Sequence, residues 1–226
     1  MDWNYLARLL MSAVAVIVGI VVHESAHALV AYLLGDKTAR SRGRISLNPL
    51  NHIDPFGTVL LPLLLIAAGG PVFAFAKPVP IYLGNLKHPK RDEVLVSLAG
   101  PASNLLLAFV AALGLRAALD AGVFTDAAGT LDAVASMVFI FISVNLSLAF
   151  FNLIPLPPLD GSSILVLFLR GKALEGYYRI QRYAMPILLV ALYLLPQFFG
   201  IDPIGLYFSV TVDPVFYGLA RLSLAL

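Results

Sequence analysis

The sequence predicts an all-α integral membrane protein, a polytopic bundle of about five to six membrane segments. Three observations carry that expectation. Only 12% of the 226 residues are charged, about half the ~25% usual in soluble domains. Mean hydropathy is +0.89. Several apolar stretches reach the ~18 residues that a helix needs to cross a bilayer. No polar linker, low-complexity tract or internal repeat divides the chain, so residues 1–226 read as one membrane-embedded domain. Its core runs from about 5 to 165, with accessory C-terminal helices over about 176–226.

The first apolar segment runs from Tyr5 to Leu34 and stops at Gly35-Asp36, a helix C-terminus signal. It is too long for the hydrophobic region of a cleavable signal peptide. A basic stretch follows over 37–54, with Arg40, Arg42 and Arg44. The alternation Arg44-Ile45-Ser46-Leu47 reads as a small β element at the membrane edge. Residues 57–76 are apolar but broken by Gly57, Pro62, Gly69, Gly70 and Pro71. Broken backbone at membrane depth is tolerated where it packs in protein or lines a cavity, so this stretch is expected to be a re-entrant hairpin. A second basic stretch covers 77–93. Val94–Leu119 and Ala133–Ile154 are long apolar segments separated by a gap with Asp120, Asp126 and Asp132. A Pro-rich turn (Pro155, Pro157, Pro158) leads to a short apolar piece ending at Leu169. Basic residues then cover 170–182, Tyr183–Phe199 is a fifth segment, and the last, 204–226, is interrupted by Asp213-Pro214. That last segment either spans, re-enters or lies at the interface.

Charge orients these pieces, because cytoplasmic loops are enriched in Lys and Arg. With 57–76 re-entrant, stretches 37–54, 77–93 and 170–182 all face the cytoplasm. The gaps 120–132 and 200–203, which contain no Lys or Arg, face outside, as does the N-terminus. The formal net charge of +2 is too small to suggest nucleic acid as a partner. There are no cysteines, which excludes disulfides and thiolate metal sites. Any zinc must therefore use His, Asp or Glu.

The run His23-Glu24-Ser25-Ala26-His27 lies inside the first segment. On a helix, positions i and i+4 share a face, so both imidazoles can reach one metal ion. Glu24 is placed beside them as a base towards water. Three ionisable residues within about one turn of a membrane helix are costly and mark function. From His27 to Gly35 the helix rises about 12 Å at 1.5 Å per residue, which sets the depth of this group below the cytoplasmic surface. A catalytic zinc site takes a third protein ligand. His52 and His88 lie in polar stretches. Asp160 is the better candidate, because the segment ending at Ile154 runs inward to the same membrane half. The competing reading makes Asp160 an N-cap of the short helix that follows it.

Together, this run, Leu98-Ala99-Gly100-Pro101-Ala102-Ser103-Asn104, and Asn152 with Leu159-Asp160-Gly161 resemble the site-2 protease family of intramembrane zinc metalloproteases. The resemblance covers about Val16 to Ser163 and fits the short members without PDZ or CBS domains. It implies one Zn2+ per chain held by His23, His27 and Asp160, with Glu24 as general base. It also implies that Asn152 lies near the metal and hydrogen-bonds the substrate backbone or the oxyanion. Substrates would be membrane-protein helices cut in the bilayer, on the cytoplasmic side of a prokaryotic plasma membrane. Gly100 allows close backbone approach and Pro101 loosens one helical hydrogen bond. Asn104 reads as interhelical glue, with substrate contact as the second reading. The run Asn48 to Gly57 resembles a feature of the short members. There His52 and Asp54 either line the entrance or form an Asx-type turn. His88 reads as part of a solvated loop. Two rivals stay open: a prenyl-protein-type endopeptidase with Glu93 or Glu175 as third ligand, and a non-proteolytic zinc-binding membrane protein.

Overall fold

The computed structural model describes residues 3–61, 63–64, 75–123 and 128–224. Seven α-helices organise the account: α1 (Trp3–Leu33), α2 (Thr38–Ser41), α3 (Pro89–Asp120), α4 (Ala128–Leu153), α5 (Lys172–Gln181), α6 (Ala184–Phe199) and α7 (Pro203–Leu224). Short 3-10 turns occur at Pro49–Asn51, Leu83–Asn85 and Asp160–Leu167, and a π-helical turn at Pro55–Leu60.

Three of the described helices are long and apolar enough to cross a membrane, over Leu6–Leu33, Pro89–Asp120 and Asp132–Leu153. The shortest has 22 residues, about 33 Å at 1.5 Å per residue, which matches a hydrocarbon core of ~30 Å. The fifth and sixth apolar segments form α6 and α7. At 16 residues, α6 is only about 24 Å long.

Helices α1, α3 and α4 pack against one another, and α7 lies against α3 and α4. Ala108, Ala112, Ile142, Leu146 and Val212 form the buried core. Ala15, Ala28 and Ala31 are buried on α1. Small side chains bring helices close where lipid tails offer no hydrophobic drive for association. The outer faces carry exposed Leu10, Leu106 and Val110, apolar groups that suit a lipid solvent. The chain is a membrane protein built on these helices.

Helix α1 ends where the sequence places its end. Gly35 takes φ +114°. Its N–H bonds the carbonyl of Tyr32 at 3.2 Å, and Asp36 N–H bonds that of Ala31 at 2.9 Å. This is the paired closure of a Schellman end. Pro89 opens α3, and the Asp92 carboxylate turns back to accept from His88 N–H at 2.8 Å. The His88 side chain is largely exposed, as a solvated loop requires.

No strand forms among the described residues, and this corrects the expected β element at Arg44–Leu47. Side chains occupy the groups that a neighbouring strand would need. The Ser46 carbonyl accepts from Ser25 Oγ at 2.5 Å and from His52 Nε2 at 2.7 Å. Arg44 turns inward and donates to the carbonyls of Asn51, Lys77 and Pro78. Of the expected hairpin at 57–76, residues 62 and 65–74 lie outside the described residues. Its first turn is capped by Asp54, whose Oδ1 accepts from Phe56 N–H at 3.0 Å and Gly57 N–H at 2.7 Å.

Asp36 ties the end of α1 to the loop before α3. It is fully buried and accepts from Tyr82 N–H at 2.7 Å, Asn85 Nδ2 at 2.9 Å and Thr38 N–H at 3.0 Å. Burial pushes its pKa up, but the bonds from Asn85, Thr38 and Tyr82 outweigh that and hold it below the usual carboxylate value. The folded pKa is depressed, so this contribution is full at neutral pH and is lost as pH falls through the folded value. We predict that Asp36→Asn lowers the thermal midpoint in detergent at pH 7. The gap to wild type should close on acidification below about pH 4, followed by tryptophan fluorescence or dye binding.

Candidate metal centre

The site is assembled from α1, α3 and the turn after α4. His23 and His27 lie one helical turn apart on α1 and are both buried. Their rings meet edge to face with centroids 4.6 Å apart. His23 Nδ1 donates to Asn104 Oδ1 at 2.6 Å, and His27 Nδ1 donates to the carbonyl of Val96 at 2.7 Å. Both acceptors sit on α3. An imidazole that donates from Nδ1 keeps its Nε2 lone pair free. Each Nε2 then faces the same carboxylate oxygen, Asp160 Oδ2, at 3.0 Å from His23 and 3.4 Å from His27.

These residues fit a bound cation. The candidate ligand atoms of His23, His27 and Asp160 all lie within 4.8 Å of one another. Two imidazole lone pairs and a carboxylate converge on one point, a donor set suited to zinc and completed by outer hydrogen bonds that fix the rings. Room for the rings comes from Gly100. A Cβ there would stand 2.5 Å from both Nε2 atoms, so the Gly-Pro step of α3 makes space for the imidazoles themselves. Gly161 has a similar role at the turn, where a Cβ would stand 2.2 Å from the Leu153 carbonyl oxygen.

A cavity of about 1120 Å³ opens beside the cluster. His23, Glu24, His27, Asn152 and Asp160 line it, together with Phe75, Pro78, Val79 and Ile81 from the segment before α3. Asn152 therefore faces the same space as the cluster. Its Nδ2 donates one bond to Leu148 O at 2.9 Å, which leaves its second N–H for another partner.

Asn104 lies behind the imidazole and off the cavity wall. It is fully buried, with Nδ2 donating to Gly19 O at 3.1 Å and to Asn145 Oδ1 at 2.9 Å. Asn145 donates in turn to Phe141 O at 2.9 Å. In the sequence Asn145 merely interrupts an apolar helix. The cost of a polar group at that depth is the signal that would have found it. His52 is also away from the cavity, buried against Ser25 and Ser46. Asp54 is a helix cap. Glu93 accepts from Tyr178 OH at 2.7 Å and Glu175 is exposed. Neither glutamate joins the three-residue cluster found among the described residues.

The family model described as peptidase family M50 matches residues 11–195. The chain belongs to peptidase family M50. This is the site-2 protease family that the motifs resemble. Among its M50 relatives is "Putative zinc metalloprotease YwhC" of Bacillus subtilis, 45% identical over 154 residues, or 67% of this chain and 66% of that protein. "Putative zinc metalloprotease Rip2" of Mycolicibacterium smegmatis is 34% identical over 160 residues, covering 70% and 57%. The protein of the same name in Mycobacterium tuberculosis H37Rv is 32% identical over 189 residues, covering 82% and 68%. The chain thus spans somewhat under two thirds of the first two relatives' lengths. No solved structure matches this M50 chain significantly. Membership of M50 implies zinc as the metal.

Two variants test the geometry. Gly100→Ala should displace both imidazoles and abolish stoichiometric zinc in metal analysis of the purified protein. Asn104→Leu should leave the ligands in place but weaken zinc retention by about 10–100-fold in chelator competition, the usual cost of losing an outer-shell partner.

Proposed function

We propose that the chain is an intramembrane zinc endopeptidase that hydrolyses peptide bonds within or near membrane segments of other proteins. The observation that carries this reading is the convergence of His23 Nε2, His27 Nε2 and Asp160 Oδ2 on the wall of a cavity that Glu24 also lines. His23, His27 and Asp160 are the ligands. The bound zinc supplies Lewis acidity towards a carbonyl and towards water. Glu24 takes the proton of the attacking water and passes it to the leaving amine. Asn152 offers its remaining N–H to the carbonyl oxygen or the backbone of the substrate. Asn104 and Val96 hold the two rings so that neither turns during the reaction.

The fold-level reading follows the charge pattern. The chain is one multi-pass domain with its N-terminus outside, a re-entrant 57–76 and a site towards the cytoplasmic face. Bacterial relatives support a prokaryotic plasma membrane. The substrate must present an extended backbone, because a helical carbonyl is already hydrogen-bonded.

Glu24→Gln should keep its zinc and lose about 10²–10⁴-fold in cleavage of a single-span substrate, whereas His23→Ala should lose both. Asp160→Ala should lose metal, and Glu93→Ala and Glu175→Ala should keep it. Normal turnover by Glu24→Gln would sink the assignment of the base. Retained zinc in Asp160→Ala would return the prenyl-endopeptidase type of site to contention.

A further inference from the structure

The cavity extends well beyond the metal cluster. On α1 its wall runs through Val16, Ile20, His23 and His27, and on α4 through Ser143, Ser147 and Asn152. On α1 these positions recur every three to four residues and trace one face, and on α4 Ser143 and Ser147 share a face while Asn152 lies further round the helix on the same cavity wall. A second cleft of about 320 Å³ shares Ser143 and Val144 with the cavity and adds Ser12. The α1 face therefore continues from His27 back to Ser12, about 22 Å at 1.5 Å per residue. A helix about 10 Å across would fill 1120 Å³ over roughly 14 Å, or about nine residues.

The hydroxyls along this slot contrast with those of three other helix serines. Ser103, Ser209 and Ser223 bond carbonyls of their own helices at 2.7–2.8 Å, the ordinary way to satisfy a hydroxyl in a membrane helix. Ser12, Ser143 and Ser147 are half-buried and make no hydrogen bond among the described residues. A hydroxyl without a partner in an apolar setting is costly. Here Ser143 and Ser147 border the cavity that also holds the metal cluster, and Ser12 borders the adjoining cleft.

We propose that Ser12, Ser143 and Ser147 are specificity-determining residues that hydrogen-bond a hydroxyl or amide side chain on the substrate's membrane helix. The inference rests on the peptidase reading above. Ser147 and Ser143 precede Asn152 by five and nine residues on α4, about 7.5 and 13.5 Å. The substrate residue they read lies about five to nine residues from the scissile peptide, towards the N-terminal ends of α1 and α4. The occupant is one helix, unwound only at its cleaved end.

The experiment uses the purified full chain with its zinc, in proteoliposomes, and Leu/Ala single-span substrates carrying one Ser or Asn at successive positions. Wild type should cut the substrate with the polar residue five to nine positions away about three- to tenfold better in kcat/KM than the all-apolar helix. That is the size expected of one interhelical hydrogen bond in a bilayer. The triple variant S12A/S143A/S147A should bring this ratio to about 1, and Thr at the same three positions should restore it. A flat positional scan with wild type overturns the proposal, as does a ratio that survives in the alanine variant. Equal loss on both substrates, with the ratio kept, assigns the serines to water supply or packing and also overturns it. Cleavage of the all-apolar helix by wild type but not by Glu24→Gln keeps the peptidase reading standing when the positional effect fails. No cleavage of any helix removes both.

Discussion

Two imidazoles on one helix turn will point their nitrogens in many directions unless something outside that helix fixes them. Here the fixing comes from α3: Asn104 takes one Nδ1 proton and the Val96 carbonyl takes the other. Everything that follows at the site depends on this pair of bonds. They set the tautomers, aim both Nε2 atoms at Asp160, and lock α1 to α3 at the depth where Gly100 lets the rings in. The Asn104–Asn145 bond carries the same chain of contacts into α4, the helix that delivers Asp160. The candidate metal centre and the three-helix core are thus one structure, and a change in helix packing changes the geometry of the His-His-Asp cluster.

Much of this was legible in the sequence. The span of α1 and its stop at Gly35 came from hydrophobic run length and a helix-ending glycine. The i, i+4 spacing of His23 and His27 and the direction of the segment before Asp160 pointed to the three side chains that the structure brings within 4.8 Å of one another. Local chemistry carries such features, and it is written in neighbouring residues. What stayed hidden depends on side chains that only the folded chain brings together. Asn145 looks like a blemish in an apolar helix until Asn104 is seen beside it. The expected strand at Arg44–Leu47 had the right alternation, yet Ser25, His52 and Arg44 claim its surroundings. Alternation reports which faces differ in polarity and says nothing about where carbonyls find their donors. His52 and Asp54, read as either entrance or turn, serve as a buried prop and a cap.

Two kinds of polar residue matter to the site. Asp36, Asn104 and Asn145 are fully buried and satisfied, as the low-dielectric interior of a bundle demands. Glu24, Asn152 and Asp160 border open space. The first kind holds the frame and the second is available to chemistry. That division explains how a chain with 12% charged residues supports a polar site in a lipid solvent.

Arg44 is only 4% exposed, and among the described residues no carboxylate comes within ion-pair distance of it. Its partners are the main-chain carbonyls of Asn51, Lys77 and Pro78, next to the cavity-wall residues Val79 and Ile81. A carbonyl is present whatever side chain stands beside it. The clamp is therefore indifferent to the identity of the residues it holds. Side chains along that wall are free to vary over evolution, altering what the cavity admits, while the wall stays where it is.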